Sequence, residues 1–321
     1  MTELPASGAR RPLPVRIFTS PYLLLVLTML FWSGNWIFGR SMRHEFTPIA
    51  ISYMRWMLAL LLIYPFAFPH LRAQQRIIFR EWKMLLALGA LGIGLFHTLV
   101  YNALAATTVI NASLVNSVMP IAIVAISWLM YREKITWWQA LGILISSGGV
   151  VIIISRGNTE VLLNLRINKG DLWALASVPV WGLYSVLLRR RPPELHAMAL
   201  LGSTMLIGVA LLTPFFLWEV ATQRPAPPSM ESLVGGAYMA LFASVLGYIF
   251  WNSAVASVGA NKAGQFVHLL PVFATGLAVL ILGERLYFYH LAGVAAIVIG
   301  IYLATVYGAK GKGEPELGSG N

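Results

Sequence analysis

The chain of 321 residues is 58% hydrophobic and only 11% charged, whereas an ordinary soluble domain is about 45–50% apolar and about 25% charged. This composition excludes a soluble globular protein and indicates a protein that lies in a lipid bilayer. The formal net charge of +11 does not indicate nucleic-acid binding, because the Lys and Arg residues form short clusters between apolar runs. The absence of cysteine excludes disulfides and thiol catalysis.

Ten apolar segments follow one another along the chain, each near the length of about 20 residues that a membrane-spanning helix needs. They cover residues 22–40, 47–68, 83–103, 110–131 and 136–155, then 170–189, 197–218, 232–255, 262–282 and 286–307. The junction NALAATTVINAS carries no charge, so the third and fourth segments are separated by length alone. Residues 1–20 and 309–321 are polar and predict two tails, with no signal peptide at the start.

The distribution of Lys and Arg predicts the orientation of these spans. With the N-terminus in the cytoplasm, 15 of these residues lie on the cytoplasmic side, 7 lie on the opposite side, and Arg55 lies within a span. Because cytoplasmic loops carry the excess of Lys and Arg, both termini are predicted to be cytoplasmic.

The two halves of the chain carry the same landmarks at nearly one spacing. Residues 151 positions apart are Pro120 and Pro271, Glu133 and Glu284, Gly142 and Gly293, and Gly149 and Gly300. Trp32 and Trp181 correspond at a spacing of 149. A unit of five spans reverses the direction of its second copy, so we predict two inverted repeats, residues 21–156 and 170–308, joined by an extracytoplasmic linker, residues 157–169. Inverted repeats are typical of secondary transporters with a central site between the repeats.

The repeated landmarks favour structural roles. Pro120 and Pro271 lie inside spans and lack an amide hydrogen, so each predicts a helix kink. The kink could lie beside a cavity or serve packing alone, and both interpretations stay open. Glu133 and Glu284 lie in turns before the fifth and tenth spans, where a carboxylate stabilises the positive end of the next helix. A role in transport is the alternative, and the glycines indicate close helix packing.

Polar residues within membrane spans face the protein interior, because lipid does not solvate them. They include Arg55, and together with nearby aromatic residues they predict a cavity with aromatic walls and a few amide or imidazole groups, which suits a small amphiphile. The candidate substrate-binding residues are Trp32, Asn35, Trp36, Tyr53, His97, Tyr101, Asn116, Trp181, Tyr184, Tyr248, Trp251, Gln265 and His268. The alternative is that some of them are interfacial aromatic residues or packing groups.

The charges narrow the class of substrate. All twelve carboxylates fall at predicted span ends, loops or tails, which argues against a carrier of polyvalent cations. Arg55 is the one basic residue plainly within a span, whereas a phosphate or nucleotide-sugar carrier would use several convergent cations. A net-neutral zwitterion fits better. His97 and His268 are candidates for proton coupling, and the alternative is that they are packing groups. We expect downhill or exchange-type efflux.

The ten spans, the two five-span halves, the paired prolines and the turn sequences YREKITWWQALG and GERLYFYHLAG resemble the EamA-type drug/metabolite transporters over about residues 20–307. Within that family the chain is most similar to the YddG-type exporters of aromatic and other amino acids. The resemblance implies a central cavity between helices 1–4 and 6–9, with helices 5 and 10 at the periphery.

The resemblance also implies export of a small molecule across the bacterial inner membrane, with no cofactor, no metal and no nucleic-acid partner. Ten helices can enclose a complete pathway, so a working monomer is compatible with the sequence. The alternative function is export of other hydrophobic metabolites or drugs. A phosphate-ester or nucleotide-sugar carrier and an intramembrane enzyme are less favoured, the latter because the sequence has no cysteine, HExxH motif or phosphate-binding loop.

Overall fold

The computed structural model describes residues 20–164, 168–223, 229–282 and 286–307, and these residues form helices and connecting turns without a β-strand. The helices of the first half are α1 (Pro21–Ser41), α2 (Pro48–Ala73), α3 (Trp82–Ala106), α4 (Val109–Asn116 and Met119–Tyr131) and α5 (Trp137–Ile154). A short helix, Gln75–Arg80, connects α2 to α3, and another, Thr159–Leu163, follows α5.

The second half repeats this order. Its helices are α6 (Lys169–Leu187), α7 (Ala197–Gln223), α8 (Met230–Val258), α9 (Ala260–Gln265, a 3-10 turn at Phe266–His268, and Leu269–Leu282) and α10 (Phe288–Tyr302, followed by a π-helical turn at Leu303–Tyr307). Among the described residues, nine helices are long and apolar enough to cross a membrane. The remaining predicted span, residues 262–282, is helical as well. The protein is therefore an all-α, multi-pass membrane protein, as the sequence predicted.

Several helix boundaries are set by side chains that bind free backbone amides. The Thr136 hydroxyl accepts from the amide of Gln139, whose side chain accepts from the Thr136 amide in return. Asn168 and Asp171 form the same reciprocal arrangement at the start of α6. These capping boxes satisfy amides that the first helical turn leaves unpaired.

Helix packing follows the predicted inverted repeat. Helix α1 packs against α8 and α9, and α6 packs against α3 and α4, while α2 packs against α7 and α5 against α10. Exchanging the two halves turns the contacts of α1 with α8 and α9 into those of α6 with α3 and α4, and leaves the α2–α7 and α5–α10 pairs unchanged. The glycine contacts agree with this arrangement. Gly142 contacts Gly300 and Gly149 contacts Gly293, as expected for antiparallel helices.

The two helices that carry the paired prolines are interrupted at equivalent places. Helix α4 is interrupted between Asn116 and Met119, with Pro120 at the start of its second segment. Helix α9 is interrupted by the 3-10 turn just before Pro271. Helices α3 and α8 also contain matched π-helical segments, Ala90–Leu95 and Met239–Leu246, which begin 149 residues apart. Such segments alter the backbone hydrogen bonding locally and are frequent at functional sites.

The predicted structural role of Glu133 involves a different contact from the one expected. Its carboxylate accepts hydrogen bonds from Ser127, at 2.8 Å, and from Arg189, at 3.2 Å. The start of α5 is capped by Thr136 instead. Glu133 thus connects the end of α4 to the end of α6. Arg132, with φ of 54°, ends α4 in the left-handed conformation. Glu284 lies outside the described residues.

Glu45 connects the end of α1 to the start of α8. Its carboxylate accepts from the Ser229 amide at 3.0 Å and from the Ser232 hydroxyl at 2.7 Å, and these bonds lower the pKa of Glu45 below its ordinary value. A carboxyl group whose pKa is lowered by folding stabilises the folded state at pH values above its ordinary pKa. This stabilisation is lost as the pH falls through the lowered pKa.

We therefore expect Glu45→Gln to lower the melting temperature at about pH 7 and to have a smaller effect below about pH 4. Thermal unfolding followed by tryptophan fluorescence would measure this. Glu160→Gln, in the exposed helix after α5, is the control. An equal effect of Glu45→Gln at both pH values would contradict the expectation.

Candidate functional site

An aromatic cluster lies where α1, α2, α3, α6 and α8 meet. The central aromatic cluster consists of Trp32, Trp56, Phe96, Trp181, Tyr184, Tyr248 and Trp251, of which all but the half-buried Phe96 are buried. Ring centroids are 4.9 Å apart between Trp32 and Trp181, 4.6 Å between Phe96 and Trp181, and 4.9 Å between Trp56 and Tyr248. Both repeats therefore contribute rings to one site.

These rings pack against one another, so in this conformation they do not enclose the predicted cavity with aromatic walls. Trp32 meets Trp181 edge to face, and Trp56 meets Tyr248 in the same way. Edge-to-face contacts between aromatic rings are favourable beyond the area that they bury. The contacts across the two repeats therefore hold the middle of the bundle closed in this conformation.

Side chains of the cluster bind the π-helical segments across the boundary between the repeats. The Trp32 indole donates to the Ala243 carbonyl of α8 at 3.0 Å. The Tyr248 hydroxyl of α8 donates to the Gly92 carbonyl of α3. Both acceptors lie in the segments where helical hydrogen bonding is irregular, so each repeat supplies a donor to the irregular backbone of the other.

Trp32 and Trp181 occupy matched positions, but their indole nitrogens differ. The nitrogen of Trp181 is buried without a hydrogen-bond partner among the described residues. The Gly94 carbonyl, which matches Ala243 at the same spacing of 149, accepts from Thr98. The two repeats are thus not in identical conformations at this point.

We expect Trp32→Phe to cost more stability than Trp181→Phe, by about 1–3 kcal/mol. Both changes remove similar ring area, but only the first leaves a buried carbonyl without its donor. Thermal unfolding of the two purified variants side by side measures the difference. Equal losses would show that the Trp32 hydrogen bond contributes nothing to stability.

A polar network surrounds Arg55, which is fully buried at the edge of the cluster. One terminal nitrogen, Nη1, donates to Asn35 Oδ1 at 3.1 Å and to the Tyr101 hydroxyl at 3.0 Å. Nε donates to the Ser244 hydroxyl in the π-helical segment of α8. Tyr101 in turn donates to Asn35 Oδ1 at 2.8 Å. Arg55 thereby links helices α1, α2 and α3 of the first repeat to α8 of the second.

Several donors at this place have no partner among the described residues. They are Nη2 of Arg55 and the indole nitrogens of Trp56, Trp181 and Trp251, and Nδ1 of His97 is also unpartnered. His97 lies among the rings, with its centroid 5.3 Å from that of Trp56. A buried donor without an acceptor is costly. The site therefore has more hydrogen-bond donors than the protein itself satisfies.

A second group of predicted residues lies beside the two kinks, which we name the kink cavity. It is lined by Trp36, Asn116, Ser117, His268 and Pro271, among others, and has room for at most one water molecule. His268 Nε2 lies 2.9 Å from the Ser117 carbonyl, which can only accept, so Nε2 carries the hydrogen. This small cavity lies beside Pro271, whereas Pro120 is not among its lining residues.

The structure thus divides the predicted site residues. The central aromatic cluster and its polar edge bring together Trp32, Asn35, His97, Tyr101, Trp181, Tyr184, Tyr248 and Trp251, and the kink cavity brings together Trp36, Asn116 and His268. Tyr53 stacks instead on Phe216 of α7, with centroids 4.2 Å apart. Gln265 is buried in α9 with its carbonyl oxygen unpartnered.

Sequence reasoning placed Arg55 among the polar residues that face the interior, because it is a charged residue in the middle of an apolar span, but did not name it as a substrate-binding residue. Trp56 and Phe96 were not singled out, because nothing in an apolar span distinguishes a ring that faces lipid from one that faces the interior.

Comparison with known proteins identifies one family whose profile matches both halves of the chain. The sequence profile of the EamA-like transporter family matches residues 19–155 and again residues 168–306. An uncharacterized transporter of Archaeoglobus fulgidus is 27% identical over 284 residues, which cover 88% of this chain and 96% of that protein. The uncharacterized transporter YyaM of Bacillus subtilis is 27% identical over 292 residues, which cover 88% of this chain and 93% of that protein.

A solved structure, described only as the crystal structure of a protein, shares the fold. Its TM-score is 0.72 at 18% sequence identity, and the match covers 91% of this chain and 99% of the other.

Proposed function

This chain belongs to the EamA-like transporter family and is a membrane transporter, not an enzyme, and we propose that it exports small neutral amphiphiles, above all aromatic and other hydrophobic amino acids, across the bacterial inner membrane. The proposed substrate class follows the resemblance of the sequence to the YddG-type exporters. The observation that carries it is the central aromatic cluster, which is built from both repeats and has polar groups at its edge. An apolar body and a zwitterionic end would match those two parts.

Transport would proceed by exchanging the conformations of the two repeats. The helices of one repeat have counterparts in the other, so a contact made on one side of the boundary can be replaced by its counterpart. The unequal hydrogen bonding of Trp32 and Trp181 supports this, because one indole has an acceptor and the other has none. A substrate among the rings would be accessible to one side of the membrane at a time.

The driving force in this proposal is the substrate gradient or exchange. His97 and His268 are the residues through which a proton could couple. An imposed pH gradient should then leave flux unchanged in liposomes. Acceleration by the gradient that His97→Ala or His268→Ala abolishes would overturn exchange-type transport in favour of proton coupling.

The test of the proposed function is counterflow in liposomes that contain the purified protein. The panel contains labelled phenylalanine, tryptophan, methionine, threonine, lysine and glutamate, with a phosphorylated sugar as the control. We expect exchange of the bulky neutral members and none of lysine, glutamate or the sugar phosphate. If no amino acid exchanges, the amino-acid assignment is wrong, and competition assays with hydrophobic metabolites and drugs would test the alternative.

A further inference from the structure

The charge on Arg55 has no counter-ion among the described residues. Its guanidinium is fully buried, and the three groups that it binds, Asn35, Tyr101 and Ser244, are neutral. The two buried carboxylates of the described residues are used elsewhere, since Asp171 accepts from Thr107 and Glu219 accepts from Thr47 at helix ends. A buried charge without an opposite charge is strongly unfavourable.

At Arg55 and Trp56 the unpartnered groups are hydrogen-bond donors. Nη2 of Arg55 has no acceptor, and neither has the indole nitrogen of Trp56, whose ring centroid lies 4.7 Å from the guanidinium carbon. An anion beside Nη2 of Arg55 would supply both the missing charge and an acceptor for that nitrogen. Carboxylate is the group that arginine binds with strong, charge-assisted hydrogen bonds.

The surroundings limit the size and the charge of that anion. Arg55 is the one cation of the site among the described residues, so a doubly charged phosphate ester would remain partly uncompensated. Aromatic rings occupy the adjoining space, and no carboxylate side chain in the described part of the chain joins the network to bind an ammonium group. A ligand with one carboxylate and an aromatic body fits these surroundings.

We propose that Arg55 binds the carboxylate of an aromatic monocarboxylate whose ring enters the central aromatic cluster, and that an amino group on the substrate is not required. This inference rests on the proposed function, because it concerns the same site, and it extends the substrate class to desamino compounds. The carboxylate replaces no bond that Arg55 already makes, because Nη1 and Nε keep their present partners.

The test uses four compounds with the same phenyl ring as competitors of labelled phenylalanine in counterflow. They are phenylalanine, 3-phenylpropionate, phenylalaninamide and phenethylamine. We expect the two carboxylates to compete similarly and the amide and the amine to be at least about tenfold weaker. Quenching of tryptophan fluorescence by the same compounds measures binding independently of transport.

Variants at Arg55 give the second arm of the test. Arg55→Gln should lose the preference for carboxylates, Arg55→Lys should keep part of it, and Arg76→Gln, at an exposed position in the helix before α3, is the control. Competition by the four compounds with the unaltered protein tests the carboxylate preference even where Arg55→Gln does not fold.

The outcomes separate the two proposals. Equal competition by phenethylamine, phenylalaninamide and phenylalanine would overturn the role of Arg55 and leave amphiphile transport standing. Competition by phenylalanine without any by 3-phenylpropionate would show that the amino group is required and would also overturn it. Absence of binding and of exchange for every compound would overturn both the carboxylate site and the proposed function.

Discussion

Gly149→Ala is expected to lower the free energy of unfolding by about 1–3 kcal/mol, and Gly149→Leu to remove most of the folded protein. A Cβ atom on Gly149 would lie 2.6 Å from the carbonyl oxygen of Gly293, and one on Gly293 would lie 2.8 Å from the carbonyl oxygen of Gly149. These contacts are with backbone, which has no rotamer to change, so α5 and α10 would have to separate along their length.

The neighbouring residue provides the control. A Cβ on Gly148 meets no atom within 4 Å, so Gly148→Ala should have no cost and could raise helix stability by up to about 1 kcal/mol. Thermal unfolding in detergent, followed by the fluorescence of the 11 tryptophans, suits a protein without cysteine. Equal melting temperatures for Gly148→Ala and Gly149→Ala would contradict the close packing of α5 on α10.

Trp181→Ala is expected to abolish counterflow and to cost about 3–5 kcal/mol of stability. Trp181 is 1% exposed and its ring has four aromatic neighbours in the cluster besides Trp32, with centroids 4.6 to 5.9 Å away. Its removal would leave a cavity that fixed helices cannot fill, at the place where the substrate ring is proposed to bind.

Trp218→Ala on α7, where the side chain is 62% exposed, is the matched control and should retain both stability and flux. Trp181→Phe separates the two effects of the alanine variant, since it keeps a ring in the cluster. Wild-type counterflow by a folded Trp181→Ala protein would show that this ring is not part of the substrate pathway.

Many residues of the site could be predicted from the sequence, but their packing against one another could not. Trp32, Trp181 and Tyr248 were identifiable because aromatic residues accompany polar ones within spans, and the structure places all three in one cluster. Their mutual packing was not predictable, because helices that are apolar on all sides do not reveal which face meets a neighbour. For the same reason Trp36 and His268 could not be assigned to a separate cavity at the kinks.

The sequence by itself determined the membrane environment, the helices, the paired kinks at Pro120 and Pro271, and the repetition of one five-helix unit. These features follow from composition, from the length of apolar runs and from residue spacing, which are local properties of the chain. Only the tertiary structure decided that Arg55 is buried with a free donor and that Trp32, unlike Trp181, has an acceptor. Burial and hydrogen-bond partners depend on the faces that distant helices turn toward one another, and residue spacing does not encode those faces.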